Sequence, residues 1–476
     1  MKTYFLNALK NKMDIRQENT VEVGNKRIFD RSLLTVTTSL GSINFMTLVI
    51  PILMESIFNN LIGTVSTAVL SGYSEEAVAA TGTVNIVFTL FAIFFSSIAT
   101  GTSVVISNLI GADQIKKAER VSFTAITMIV MLALVCSGIM FILSRSLVGW
   151  LQLTGTVYEL ALVYFRIRIS GFILMGTSSV ILAVMRCYGF PKSSVITGVI
   201  TNICNVLFSI YAVYFAEIPF LSGVSGVATG CVLSQCIGLG IGIFMLCRAK
   251  IRIRRAESIK ELWQIFGRIL VIGIPACISG GSFTLSQLIT NSFAVMLGLH
   301  AVLGKVYFST ILSYAYLFSI SMGNANSLLI GRLYGAGRYE HARRLNRMLV
   351  RITIPLNLLV SVLIILMRKP LLSLFTDNSL IIQMSLGILL VDIVTEQARA
   401  VSHVHEHALR ASGDVTPTMI VTLISCWVFS VGLAYFLSIY CGLGLIGCWI
   451  GLAIDESIRA VYTYYRWRTG KWCKNK

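Results

Sequence analysis

The sequence predicts an all-α polytopic membrane protein, in which twelve transmembrane helices form two six-helix lobes related by a pseudo-two-fold axis along the membrane normal. Three observations predict this fold class. First, 55% of the 476 residues are hydrophobic and only 13% are charged, whereas soluble proteins carry about 25% charged residues. Second, long apolar stretches recur along the chain. Third, the two halves of the chain resemble each other at a nearly constant spacing.

Twelve stretches of the chain are apolar over the roughly 20 residues that a helix needs to cross the hydrocarbon core. They are longer and more continuous than barrel strands, which alternate polar and apolar residues over about 10 positions. We therefore predict membrane-spanning helices at 40–66, 78–107, 122–146, 158–186, 194–216, 223–247, 266–297, 301–331, 347–375, 380–409, 417–440 and 442–465.

The distribution of lysine and arginine predicts that both termini are cytoplasmic. With this orientation, 31 of the 39 basic residues fall in the two tails and the inner loops. The outer connections hold four, namely Arg145, Lys305, Arg368 and Lys369. Cytoplasmic loops of membrane proteins carry such an excess. The net charge of +18 therefore indicates insertion into the cell membrane, inner or plasma, rather than nucleic-acid binding.

An internal repeat divides the chain into two halves of six predicted helices each, which makes the repeats parallel. The matched segments share one separation along the chain, that from Pro51 to Pro275, which we call the repeat offset. They are Ile50-Pro51 and Ile274-Pro275, Ala77-Val78 and Ala301-Val302, the segments that begin at Asn108 and Arg332, and Arg186 with Gly189 and Arg410 with Gly413. The predicted domains are a cytoplasmic N-terminal tail (1–33), an N-lobe (34–247), a basic cytoplasmic linker (248–265), a C-lobe (266–465) and a cytoplasmic C-terminal tail (466–476).

Five segments carry a resemblance to a known family: Ile50–Glu55, Ser71–Ala80, Gly331–Gly337, Leu409–Val415 and Gly442–Trp449. Their order, with the twelve spans and the duplication, makes the chain similar to bacterial MATE (multidrug and toxic compound extrusion) transporters along essentially its whole length beyond residue 34. The resemblance implies a secondary-active antiporter, not an enzyme, that exports amphipathic, cationic drugs or metabolites. It also implies exchange for H+ or Na+ by alternating access between the two lobes.

The resemblance limits the partners that we expect. They are a small-molecule substrate and membrane lipids, without nucleic acid, and the protein is expected to act as a monomer. No cofactor is implied besides the coupling ion, H+ or Na+. A flippase for a lipid-linked saccharide or related lipid is the alternative function, although such flippases usually have fourteen spans and a strongly cationic cavity. An integral membrane enzyme is a third alternative, for which the chain shows no catalytic motif.

The chain departs from the family at the positions of its known cation sites. Many members carry an aspartate in the first helix, where this chain has Ser66, and another in the fifth helix, four residues after an asparagine. Here Asn205 is followed by Ser209. Another branch uses a glutamate in the seventh helix, but the predicted span 266–297 contains no acid. No cation site of the family therefore carries over intact.

Ionisable side chains inside the membrane are candidates for ion coupling, because a central charge costs about 2.5–3.5 kcal/mol on insertion scales. Glu55 lies in the first predicted helix, four residues after Pro51. A buried carboxyl group there suits a proton carrier. The alternative is a structural carboxylate that is hydrogen-bonded to Asn59 or Asn60.

The tenth predicted helix carries a polar stripe of Asp392, Glu396, Arg399, His403 and His407, whose spacing places all five on one helical face. A stripe of this length cannot face lipid, so it must face a cavity or a partner helix. We assign Asp392 and Glu396, together with Glu55, to cation or proton coupling, and Arg399 and His403 to supporting roles. The alternative is a structural Glu396–Arg399 ion pair. No metal site is expected, because the HEXXH motif is absent.

Other polar residues in the predicted helices complete the candidate sites. Asp455 and Arg459 have the spacing of a structural ion pair in the last helix. Gly111, Gly331, Gly335 and Gly337 lie at inner helix ends and are predicted to terminate those helices. The predicted substrate cavity is lined by Asn59, Asn60, Asn205, Gln287, Asn291, Asn324 and Asn326.

Overall fold

The computed structural model of the protein describes residues 31–474, except residues 39, 72–73, 151–152, 217, 219–220 and 377. Most of the predicted N-terminal tail, residues 1–30, and the last two residues of the C-terminal tail lie outside the described part of the chain. The side chains of residues 62–71 also lie outside it, and they include Ser66.

Twelve long helical stretches account for almost all of the described chain. They are α1 (Phe45–Ser71), α2 (Glu75–Gly111), α3 (Ile115–Ile142), α4 (Gly155–Ile169 and Phe172–Cys187), α5 (Pro191–Tyr214), α6 (Gly223–Arg248), α7 (Ile259–Met296), α8 (Leu299–Gly335), α9 (Tyr339–Leu366), α10 (Ser379–Ala411), α11 (Thr416–Tyr440) and α12 (Leu445–Arg468). Short helices at Ser144–Trp150 and Arg368–Ser373 follow α3 and α9. Each long stretch coincides with one predicted span to within several residues.

Most of these stretches satisfy the length and polarity of a membrane span. Among the described residues, nine helices are long and apolar enough on their own, and the two segments of α4 form a tenth when counted together. The segments of α4 meet at an angle of 45°. In α1, the part whose side chains are described, Phe45–Leu61, is apolar. The last stretch, α12, carries the buried charged residues Asp455, Glu456 and Arg459.

The predicted basic linker, 248–265, spans the connection between α6, which ends at Arg248, and the first residues of α7, which begins at Ile259. Ser258 caps α7, its side chain accepting a hydrogen bond from the backbone N–H of Glu261. This is the favoured arrangement for a serine at a helix start. Glu261 in turn pairs with Arg120 of α3, at 3.1 Å between Oε1 and Nη1. The linker is therefore anchored at its C-terminal end to the N-lobe.

A two-stranded antiparallel hairpin precedes α1 and was not predicted. Its strands are β1 (Thr35–Thr38) and β2 (Gly41–Asn44), with Thr35 opposite Asn44. The hairpin touches α8, where Arg332 donates a hydrogen bond to Thr38 Oγ1 at 3.3 Å. The all-α fold class holds for the rest of the described chain.

The two halves meet through α1 and α2 on one side and α7 and α8 on the other. At the ends of α2 and α8 the contact is reciprocal. A Cβ on Gly111 would overlap the carbonyl oxygen of Arg332, and a Cβ on Gly335 would overlap that of Asn108. The repeat offset relates one pair to the other, so the pseudo-two-fold axis passes between them. Gly111 and Gly335 do end their helices, as predicted, and they also allow two backbones to touch. The prediction for Gly331 is wrong, because this residue lies inside α8.

Candidate functional site

A cavity of about 590 Å³ lies between the two halves, and we call it the central cavity. Its walls come from α1, α2 and α4 of the first half and from α7, α8, α10, α11 and α12 of the second. Its volume falls in the range of about 300–1,000 Å³ that is typical of small-molecule sites. Its charged and imidazole lining residues are Glu55, Arg186, His403, Glu406, His407, Arg410, Glu456 and Arg459.

Glu55 lies on the wall of the central cavity and is paired. Its Oε2 atom is 3.3 Å from Arg186 Nη1 of α4, and it accepts a hydrogen bond from Ser194 of α5 at 3.2 Å. The expected partners, Asn59 and Asn60, do not bond to it among the described contacts. Arg186, the last residue of the predicted span 158–186, lies in α4 and lines the cavity. Its place in the internal repeat was the signal that could have identified it.

The second half presents a matching pair on the same cavity. Arg410, the counterpart of Arg186 in the internal repeat, pairs with Glu406 at 2.5 Å between Nη2 and Oε1. The glutamates are not counterparts of each other, because Glu55 comes from α1 and Glu406 from α10. The arginine thus occupies the same position of the repeat in both halves. Its carboxylate partner comes from α1 in the first half and from α10 in the second.

An ion-pair network joins α10 to α12. Arg399 pairs with Glu396 at 2.7 Å and with Glu456 at 3.2 Å, and Arg459 pairs with Asp455 and Glu456, both at 2.9 Å. All five side chains are buried. Buried charges are tolerated only when they are paired. The predicted pairs Glu396–Arg399 and Asp455–Arg459 are therefore present, and Glu456, which the sequence interpretation left out of the site, links them.

Glu396 lines neither of the two cavities, and its side chain is fully buried. Besides Arg399, it receives a long contact of 3.5 Å from Asn357 Nδ2 of α9. This environment supports the structural interpretation of Glu396.

A second cavity, of about 190 Å³, lies inside the second half, and we call it the C-lobe cavity. Asp392 lines it, is only 2% exposed, and has no hydrogen-bond partner on Oδ2 among the described residues. Lys305 lines the same cavity, is 7% exposed, and its Nζ atom also lacks a partner in the described part of the chain. The assignment of Lys305 to an outer connection is wrong, because the residue lies in α8 and is buried. Its position inside the predicted span 301–331 was the available signal.

The two histidines of the polar stripe reach the central cavity. The ring of His403 lies 5.3 Å from that of Tyr316, and its Nε2 atom has no partner among the residues that the structure describes. His407 Nδ1 lies 2.9 Å from the carbonyl oxygen of His403. Tyr316 also stacks against Arg399, whose guanidinium is 4.9 Å from the ring centre. In the described part of the chain, no group of three histidine, cysteine or acidic side chains could hold a metal ion.

The predicted neutral residues divide between the two cavities and the packing interior. Asn324 lines the central cavity and Gln287 the C-lobe cavity. Asn60 joins the halves, since its Nδ2 atom donates to Ser313 of α8 at 2.7 Å. Asn291 is exposed on α7 and lines neither cavity.

Three further predicted residues bond to neighbouring helices and line neither cavity. Asn59 accepts a hydrogen bond from the amide of Asn202 on α5. Asn205 contacts Ser234 of α6 at 3.4 Å. Asn326 is fully buried, and its amide donates to the backbone of α10, at the carbonyl of Val404, at 3.0 Å. All three therefore bond to neighbouring helices rather than to either cavity.

Two comparisons of sequence give consistent results. The family model MatE matches residues 51–211 and again residues 275–436, so the two matched copies begin at Pro51 and Pro275, the pair that defines the repeat offset. The chain is 30% identical over 427 residues to the uncharacterized transporter YisQ of Bacillus subtilis, covering 89% of this chain and 93% of that protein. It is 26% identical over 428 residues to a probable multidrug resistance protein NorM of Thermotoga maritima, covering 90% and 92%.

Solved structures share the fold. One is an outward-facing multidrug resistance MATE family transporter of the MOP superfamily, with a TM-score of 0.84, 22% identity and coverage of 94% of this chain and 98% of that one. Another is a MOP superfamily transporter from Pyrococcus furiosus, whose binding pocket is described as having reverse polarity, with a TM-score of 0.82, 21% identity and the same coverage. The predicted all-α fold of twelve helices in two lobes is confirmed.

Proposed function

Since this chain belongs to the MatE family of membrane transporters, we propose that it exports amphipathic drugs or metabolites from the cell by alternating access. The observation that carries the proposal is the central cavity, whose walls are shared between two repeated halves. Parallel repeats that enclose a cavity allow access to alternate when one half rocks against the other. The relative from Thermotoga maritima, a probable multidrug resistance protein, supports drugs as a substrate class.

The direction of opening follows from the predicted orientation. With both termini in the cytoplasm, the ends of α2 and α8 lie on the cytoplasmic side. The contacts of Gly111 and Gly335 with the opposite half then close the cavity toward the cytoplasm. In this proposal the described conformation exposes the cavity outward, and the inward-facing conformation requires that both contacts separate.

The substrate is proposed to be an amphipathic cation. Every carboxylate that the described residues place on the central cavity wall, at Glu55, Glu406 and Glu456, already holds an arginine. A cationic group of the substrate would compete with those arginines, while Asn324 and the apolar wall bind the remainder. Because these carboxylates are already paired with arginines, they attract a cationic substrate only moderately. A moderate attraction allows the substrate to be released.

The export is proposed to be coupled to entry of H+ or Na+. Asp392 is the strongest candidate for the coupling site, because its carboxylate is buried and one of its oxygens has no partner among the described residues. Glu396 and Glu55 are paired with arginines and would act more weakly. Antiport requires that binding of the ion weakens binding of the substrate, and the reverse. The size of this effect is the coupling free energy between the two sites.

Transport by the full-length protein in proteoliposomes tests the proposal. A gradient of H+ or Na+ should drive uptake or release of ethidium, and Asp392→Asn should abolish the gradient dependence. Glu55→Gln and Glu396→Gln should reduce it. Asn291→Ala, which changes an exposed residue outside both cavities, serves as the matched control. Wild-type transport in all three acid variants across pH would disprove the coupling assignment.

A further inference from the structure

A buried arginine crosses from the second half to the first, beside the two glycine contacts. Arg332 lies in α8, one turn before Gly335, and is only 1% exposed. A buried cation is normally paired with a carboxylate, because burial without a partner is expensive. Within the described chain, the guanidinium of Arg332 bonds instead to two neutral oxygens. Both of these oxygens belong to the first half.

The shorter of the two bonds caps the end of a helix. Arg332 Nη2 donates to the carbonyl oxygen of Cys187 at 2.5 Å, and Cys187 is the last residue of α4. In a longer helix the N–H of residue 191 would bond to this carbonyl, but that residue is Pro191, which has no N–H. The last carbonyls of a helix form its negative end, and an arginine is a favourable partner for them. Arg332 therefore supplies, from the opposite half, a donor that α4 lacks.

The second bond joins the same guanidinium to the hairpin. Arg332 Nη1 donates to the hydroxyl oxygen of Thr38, the last residue of β1, at 3.3 Å. The hairpin lies against the end of α4, since a Cβ on Gly189 would come within 3.2 Å of Ile43 Cδ1. Val36 of the hairpin is buried. One side chain of α8 thus connects two neighbouring elements of the first half.

The internal repeat shows that this connection runs in one direction. At the repeat offset, the counterpart of Arg332 is Asn108 of α2. The backbone carbonyls of both residues make the same close contact with a glycine of the opposite half. The side chain of Asn108 is shorter, and its Oδ1 atom has no hydrogen-bond partner among the described residues. The glycine contacts are therefore repeated in both halves, whereas the hydrogen bonds of the guanidinium belong to α8.

We infer that Arg332 is a latch that holds the cytoplasmic side of the protein closed. When the ends of α2 and α8 separate, α8 moves away from α4, so the bonds of Arg332 to Cys187 and Thr38 must both break. A hydrogen bond from a charged group favours the closed state over the open state by a factor of about 10–100. Arg332 lines neither cavity and is a positioning residue for transport. The inference rests on the proposed alternation between outward and inward openings.

Labelling of the central cavity from each side of the membrane tests the latch. The full-length protein carries Asn324→Cys on the cavity wall, with or without Arg332→Met, and a membrane-impermeant maleimide is applied to right-side-out and to inverted vesicles. Each rate is corrected for the same protein without the introduced cysteine. Arg332→Met should raise labelling from the cytoplasm and lower it from outside, so the ratio of the two rates should rise about 10-fold or more. Faster labelling from both sides would indicate a loosened protein and would overturn the inference.

Asn108→Ala is the matched control, because it shortens the counterpart side chain, and its labelling ratio should stay as in the parent protein. Arg332→Lys keeps the charge and one possible bond, so its ratio should lie between those of the parent and Arg332→Met. Thr38→Val, which removes the longer bond, should raise the ratio less than Arg332→Met does.

An unchanged ratio in a folded Arg332→Met protein, or an equal rise in Asn108→Ala, would overturn the inference. If Arg332→Met does not fold, the ratios of Arg332→Lys and Thr38→Val decide in its place, and both must rise. The measurement needs no substrate. Failure of ethidium transport would therefore refute the proposed export, while the labelling ratios would still decide whether Arg332 is a latch.

Discussion

The two lobes fill the same position of the repeat with opposite chemistry. In the N-lobe, Phe172 lies inside an aromatic cluster, with ring centres 5.3 Å from Phe88, 4.5 Å from Phe91 and 5.9 Å from Phe95. Its counterpart in the C-lobe is Glu396, which belongs to the buried ion-pair network. The two lobes share the same helices, but at this position the interior of one lobe is aromatic and that of the other is ionic.

The arginines of the two lobes show the same contrast. Arg168 of the N-lobe lies 4.5 Å from the ring centre of Phe88 and donates to the hydroxyl of Tyr164 at 2.7 Å. Arg399 of the C-lobe also stacks on a tyrosine, but it is bound to two carboxylates. We therefore expect substitutions that change a charge to affect stability and transport more in the C-lobe than in the N-lobe.

The largest expected effect is that of removing the arginine from the ionic lobe. Arg399→Met leaves Glu396 and Glu456 without this partner, and breaking a buried ion pair costs about 3–5 kcal/mol. Thermal unfolding of the purified protein should show a large fall in Tm. The comparison in the N-lobe is Arg168→Met, at a different position of the repeat, which removes a cation–π contact of about 0.5–2 kcal/mol and leaves no carboxylate without a partner. Equal losses in the two variants would contradict the division between the lobes.

A smaller effect is expected where the lobes are still alike. Gly335→Ala places a Cβ against the carbonyl of Asn108, and Gly111→Ala places one against that of Arg332. Overpacking of this kind costs about 1–3 kcal/mol. Since the pseudo-two-fold axis relates the two contacts, both variants should weaken the closed state equally.

The substitution Asn324→Cys places a thiol on the central cavity wall. The accessibility of this thiol measures how tightly the contacts of Gly111 and Gly335 close the cavity. Labelling by a reagent from the cytoplasmic side should rise by a similar factor in both variants. Gly240→Ala is the control, because a Cβ there meets no described atom within 4 Å. A strong effect in only one of the two glycine variants would show that the closure is asymmetric.

The fold could be predicted from the sequence, because long apolar segments and the internal repeat are properties of the chain itself. The same holds for contacts along one helix: Glu396–Arg399 and Asp455–Arg459 follow from helical spacing. The hairpin at residues 35–44 was missed, since one of its contacts lies on α8, far along the chain.

Contacts between distant helices explain the other omissions in the site. Glu55 and Arg186 are 131 residues apart, and no local pattern links them. Lys305 was counted with the outer connection because a basic residue near a span end is commonly exposed. Only the packing of α8 against its neighbours buries it.

The smallest expected effect belongs to the aromatic lobe. Phe172→Leu keeps the position apolar and removes ring–ring contacts, which are worth about 0.5–1.5 kcal/mol beyond the area that they bury. Tm should fall slightly, and the pH dependence of ethidium transport should stay as in the wild type. Glu396→Gln, at the equivalent position of the C-lobe, should alter that pH dependence, since it removes a charge from the network joined to Arg399. A shifted pH profile in Phe172→Leu would place ion coupling in both lobes and break the contrast between them.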